Sequence, residues 1–225
     1  MKDLGMSTDF EEPPPPYEER QDEIAPPLYE SPAPTSSILV FDGRSVFEPA
    51  RPSVALYQTS RALDAGGCTM SISRLRRHGE IGEHSASSAS TPPVEPFDDD
   101  KVIYTVFRPP ASAVHLELMG KRRTTYPGTI ASEKTVLDWR FWHEHKGTRR
   151  PLFRAKNVLS TKLVPDVRWK DAAARTLASV ERQSDGCGGS LQIMTVSDGV
   201  ASPVVDALVA CWMAKAWHDR SHRLL

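Results

Sequence analysis

The chain has 225 residues, 39% of them hydrophobic and 25% charged, the ordinary make-up of a globular domain with room for a tail. Its net charge of -1 conceals two parts: residues 1–35 carry Lys2 and Arg20 against nine acids, giving -7, and the remaining residues carry 26 basic and 20 acidic groups, giving +6. No run of about 18 apolar residues exists, which excludes an ordinary membrane-spanning helix, and three scattered cysteines (Cys68, Cys187, Cys211) exclude a disulfide framework or a zinc knuckle.

Residues 1–36 hold eight of the 19 prolines and few aliphatic side chains. Such a segment buries too little apolar surface to offset its ordering entropy, so a disordered acidic tail is expected. Within it stand two PPxY motifs, Pro14-Pro15-Pro16-Tyr17 and Pro26-Pro27-Leu28-Tyr29, each followed by glutamate (Glu18, Glu30). Proline fixes φ near the polyproline II value, so little entropy is lost on docking. The paired prolines fit an aromatic-lined groove and the tyrosine an adjacent pocket, which is how WW domains read this motif. Pro14, Pro15, Tyr17, Pro26, Pro27 and Tyr29 are therefore the expected WW-binding residues. The expected partner is a WW-domain protein, notably a HECT-type ubiquitin ligase. A merely solubilising tail is the blander reading, and one motif alone would favour it. An SH3 ligand through Pro13 and Pro16 lacks a nearby basic residue.

From Ser37 onward the chain reads as short strands. Ser37–Phe41 ends at the turn dipeptide Asp42-Gly43, and Ser45–Phe47, Val54–Ser60 and Thr69–Arg76 follow. Gly79–Asp100 is rich in serine, proline and acid, so it reads as a long inserted loop. Then come Lys101–Arg108, stopped by Pro109-Pro110, and Val114–Met119, which sets Leu116 and Leu118 against His115 and Glu117. Gly128–Ala131, Val136–His143, Leu152–Lys156, Asp166–Lys170, Arg175–Arg182 and Leu191–Val196 complete a set of about twelve, the pattern of a barrel or sandwich.

One segment breaks this rhythm. Ser202 reads as an N-cap with Pro203 at the first helical position, and between Val204 and Trp217 only Asp206 and Lys215 are charged. Asp206 in the first turn and Lys215 near the end suit the helix dipole. A helix apolar on nearly every side has to be buried all round. Fourteen residues span about 21 Å, short of the bilayer's roughly 30 Å of hydrocarbon. A helix running through the middle of a closed sheet is expected, with a helix lying on one sheet face as the alternative.

About a dozen strands followed by an apolar C-terminal helix resembles the tubby C-terminal-like superfamily, which takes in tubby proteins, phospholipid scramblases and LURP-one-related proteins. The phrases that carry the resemblance are VALYQTSRALD (54–64), SISRLRR (71–77), KVIYTVFRPP (101–110) and ALVACWMAKAW (207–217). They look most like fungal members of unknown function. The resemblance spans roughly residues 37–220 and implies a twelve-stranded barrel wrapped around the helix. It also implies a search for lipid contacts, because tubby domains bind phosphoinositides. Basic clusters stand at Arg74-Arg76-Arg77, Lys121-Arg122-Arg123 and Lys146-Arg149-Arg150, and the first two are the candidate sites for anionic head groups. The competing reading is a set of solvated loop charges on separate faces. Scramblases also carry cysteine runs and a calcium-binding segment. Here the cysteines are scattered and no D-x-D-x-D-G loop precedes the last helix.

Other motifs are sparse. His143-Glu144-His145 puts two imidazoles on one strand face without a third ligand, and His218 and His222 have i, i+4 spacing with aspartate between them. Gly186-Cys187-Gly188-Gly189 lacks the context of a phosphate loop, and no serine stands in a G-x-S-x-G elbow. No enzyme, cofactor or metal is expected. Aromatics are not interleaved with the basic residues, so nucleic acid is not an expected partner. Without a signal peptide behind Met1, a cytoplasmic protein, peripheral at membranes, is expected. The combined expectation is a mainly β protein. It has a disordered tail (1–36) and a closed antiparallel barrel around a central helix (37–225). It acts as a non-catalytic adaptor or substrate for WW-domain proteins, with a scramblase-like lipid-handling protein as the alternative.

Overall fold

In a computed structural model of the chain, residues 36–63, 67–75, 96–109, 115–121, 124, 126–136, 138–158, 166–184 and 190–221 are described. Twelve strands run in chain order: β1 Ser37–Phe41, β2 Ser45–Phe47, β3 Ala55–Thr59, β4 Thr69–Arg74, β5 Val102–Phe107, β6 His115–Gly120, β7 Gly128–Lys134, β8 Asp138–His145, β9 Thr148–Asn157, β10 Val167–Asp171, β11 Thr176–Ser184 and β12 Ser190–Val196. One helix, α1 Ser202–Ser221, follows. Each strand pairs antiparallel with its sequence neighbours, and β1 also pairs with β12, so the sheet closes on itself and leaves no free edge. The fold is the expected closed barrel around a C-terminal helix.

Strand number explains the helix. About eight strands make a barrel just wide enough for side chains to fill. Twelve leave a wider lumen, and a helix about 10 Å across occupies it. Every residue from Ala207 to His218 is buried, so α1 has no solvent face over that stretch. The wall supplies matching apolar positions, most regularly where a strand alternates. In β5, Val102, Tyr104 and Val106 are buried while the residues between are only partly so. Phe41 meets Trp212 edge-on at 5.6 Å, and Trp169 stacks on Phe141 at 5.4 Å. Trp212 Nε1 donates to Gln192 Oε1 at 2.9 Å, which satisfies its polar atom inside the core.

Several boundaries differ from the sequence reading, each for a local reason. β9 starts earlier than expected and passes through Pro151. The register shifts there, with Phe141 opposite Phe153 but Trp142 opposite Pro151, so the proline sits at a bulge where no ladder donor is needed. Val136 is 96% exposed rather than in a strand, because Thr135 and Asp138 close a turn beneath it. β7 begins at Gly128 with φ +100°, and a Cβ there would lie 2.8 Å from the Glu144 carbonyl oxygen. The helix also starts one residue earlier than expected. Val205 N–H donates to Ala201 O at 3.1 Å, so Ala201 fills the cap position and Ser202 the first helical one. Asp206 lies beyond the first turn, and its role is an ion pair with the wall rather than the dipole.

β12 delivers the chain to the start of α1, and this end of the barrel is called upper here. The helix runs down the lumen and its last turn emerges at the lower end. Among the described residues no helix is long and apolar enough to cross a membrane.

Candidate functional site

The WW-binding residues Pro14, Pro15, Tyr17, Pro26, Pro27 and Tyr29 lie outside the described residues, as do Arg76, Arg77, Arg122 and Arg123. Arg74 and Lys121, the described members of the two lipid-site clusters, do come together. Arg74 ends β4 and Lys121 follows β6, both at the upper end, and they line one groove of about 950 Å³. Lys101, Asp100, Gly120 and Thr124 share that groove. A Cβ on Gly120 would lie 2.4 Å from the Tyr126 carbonyl oxygen, so only glycine lets the two backbones approach.

The groove's cations already have partners. Arg74 pairs with Asp206 of α1, and Tyr57 OH donates to the other carboxylate oxygen at 2.7 Å. Burial, and then the Asp206 charge, push the Tyr57 phenol well above its ordinary range. This trio ties β3 and β4 to the helix. Lys101 Nζ stands 3.3 Å from Asp98, and Lys121 Nζ donates to the Asp99 carbonyl at 3.1 Å. Asp98 in turn caps a 3-10 turn, Asp99–Lys101, by accepting from Asp100 N–H at 2.9 Å. That hydrogen bond, reinforced by Lys101, holds the Asp98 carboxyl below the usual range. Asp98-Asp99-Asp100, read from sequence as the tail of a solvated loop, is thus the turn that aims Lys101 into the groove. An oxyanion bound here would compete with these partners for each cation.

A second groove at the same end, about 680 Å³, is lined by Tyr126, His143, Arg150, Arg175, Asp198 and Val204 among others. Two of its polar side chains are engaged: Arg175 Nε donates to Asp171 at 2.7 Å, and His143 Nε2 lies 2.8 Å from the Pro127 carbonyl. His143 and His145 stack at 5.9 Å as expected of strand neighbours on one face. Among the described residues no group of three His, Cys, Asp or Glu side chains could hold a metal ion. Cys211 is wholly buried and its thiol is pushed up by that burial, while Cys68 is exposed. Sequence reasoning missed Lys101, Tyr57 and Asp206. Only the isolated charge of Asp206 on an apolar helix signalled that a wall partner had to exist.

The chain matches no family profile, no curated protein and no solved structure.

Proposed function

We propose that this protein is a non-catalytic binding protein that presents PPxY motifs to a WW-domain partner, with the barrel as its membrane- or partner-docking half. The observation that carries the reading is the pair of motifs ending at Tyr17 and Tyr29 in an acidic, proline-rich segment. Twelve residues span at most about 40 Å when extended, within the reach of tandem WW domains. Two linked contacts raise avidity through effective concentration. HECT-type ubiquitin ligases carry such domains, and the barrel offers lysines as acceptors. Kinship with the tubby-like superfamily is part of the same proposal: twelve closed strands around one apolar C-terminal helix support it, and so does a basic groove at the upper end. Lipid docking through Arg74 and Lys121 has to displace their carboxylate and carbonyl partners, so it is the weaker half of the reading.

Titrating a tandem WW protein into the full chain tests the first half. Tyr17→Ala or Tyr29→Ala alone should weaken binding by roughly one to two orders of magnitude, the avidity of a linked second site. The double variant should abolish it. Unchanged affinity in the double variant would end the proposal.

A further inference from the structure

The segment that carries the PPxY motifs joins the barrel at its upper end, because β1 opens with Ser37 opposite Val196, the last residue of β12. The eight residue steps from Tyr29 to Ser37 span at most about 29 Å whatever their conformation. A partner held on the second motif is therefore tethered to this end. Even-numbered strands run toward it, so the turn between β8 and β9 stands there too.

That turn is two residues long, since His145 pairs with Thr148. Both of its residues have positive φ, Lys146 at 48° and Gly147 at 75°. This is the tight hairpin geometry that asparagine-glycine fits best, and a lysine in the left-handed region is uncommon. A Cβ on Gly147 would meet nothing within 4 Å, so the tip stands in open space. Lys146 is exposed, and its amine has no hydrogen-bond or ion-pair partner among the described residues.

The other described lysines differ. Lys101 stands 3.3 Å from Asp98, Lys121 donates to the Asp99 carbonyl at 3.1 Å, and Lys134 lies 3.9 Å from Asp219. Lys215 is buried and Lys170 half-buried. Lys156 is exposed, but it sits within β9, eight residues beyond Thr148 and so about 27 Å toward the lower end. That distance matches the tether's whole reach, so Lys156 and Lys146 are not equivalent for a partner held at the upper end.

We propose that Lys146 is the acceptor lysine for ubiquitin, modified by the ligase that the PPxY motifs hold. The inference rests on the WW reading and adds to it the site of transfer. The neutral amine attacks the carbonyl carbon of the thioester that joins ubiquitin's C-terminus to the ligase cysteine. A C–N amide bond forms, the C–S bond breaks, and the amine's surplus proton ends on the released thiol. Tethering raises the local concentration of amine and thioester, and a free amine on a two-residue tip can meet the thioester without displacing folded structure.

The test is a reconstituted transfer with the full chain, a HECT-type ligase carrying tandem WW domains, its conjugating enzyme, ubiquitin and ATP, with ligase affinity titrated in parallel. Peptide mapping by mass spectrometry should place the first ubiquitin on Lys146. Lys146→Arg keeps the charge and Lys146→Asn suits the turn. Each should lower the initial rate of first addition by at least roughly tenfold, the loss of a site enriched by tethering. Lys156→Arg should leave that rate at the wild-type value. A bound ligase that puts the first ubiquitin on another lysine, Lys2 or Lys162 included, overturns the acceptor site and leaves the WW reading standing. So does a bound ligase that modifies no lysine, or one that acts on both Lys146 variants at the wild-type rate. A ligase that does not bind the wild-type chain overturns both.

Discussion

Replacing Ala210 by aspartate is expected to leave no folded protein. Ala210 is at 0% exposure in the middle of α1, two residues before Trp212, whose ring meets Phe41 of the wall. Aspartate adds little volume, so the effect is electrostatic. A carboxylate in that lumen finds no donor within the helix and loses its water. The penalty for an unpaired buried ion is several kcal/mol, and a domain's whole stability is only about 5–15 kcal/mol. Circular dichroism on heating should show no cooperative transition, or the protein should be recovered only as aggregate. Ala173→Asp, in the exposed turn before β11, serves as the control and should shift stability by no more than about 0.5 kcal/mol. A cooperatively folding Ala210→Asp variant with the wild-type midpoint would mean that water reaches α1.

The second large effect is an asymmetry between Asp219 and Lys215. Asp219→Ala should cost about 3–5 kcal/mol, because it leaves the buried Lys215 ammonium uncompensated. Lys215→Met should be near neutral or stabilising, since it removes a buried charge and keeps the stem's packing. Urea denaturation of both variants checks the order, and equal losses would contradict it. Acid dependence follows from the same pair. Burial raises the Asp219 carboxyl, but hydrogen bonding from His218 and the charges of Lys215 and Lys134 outweigh it and hold the group far below its ordinary 3.8. A depressed folded value means that the contribution is complete above 3.8 and is lost as pH falls below it. Asp219→Ala should therefore flatten the stability profile in that acid range. Burial meanwhile pushes the Lys215 ammonium down, against the pull of Asp219, so the charged lysine opposes folding at neutral pH. That is why its removal is tolerated.

The architecture was legible because two periodicities stand out undiluted. Leu116 and Leu118 against His115 and Glu117 fix a strand with one buried face, and they are buried and exposed as the alternation requires. The uninterrupted apolar run from Ala207 to Met213 leaves a helix no side to offer to water, and enclosure follows. Boundaries were less legible where one residue serves two masters. The expected strand Leu152–Lys156 begins after Pro151, yet β9 runs through it, because a bulge opposite Trp142 removes the need for its missing N–H. The sites were legible only in part. Arg74 reads, with Arg76 and Arg77, as a candidate site for anionic head groups, but its partner Asp206 lies 132 residues away and no local pattern announces it. Arg108, Lys134 and Arg182 are single charges just past β5, at the end of β7 and within β11, and nothing local marks them as neighbours. Only barrel closure brings them round one helix end. The PPxY motifs are the converse case: their chemistry is wholly local, so sequence alone carries it.

Amide hydrogen exchange along α1 bears most directly on the whole arrangement. With a β wall around them, the amides from Ala207 to Trp217 should exchange only through global unfolding, with one shared free energy equal to that from urea denaturation. Exchange of those amides orders of magnitude faster than the amides of β11 and β12 would show a helix that leaves the barrel on its own, and the enclosed-core account would not stand.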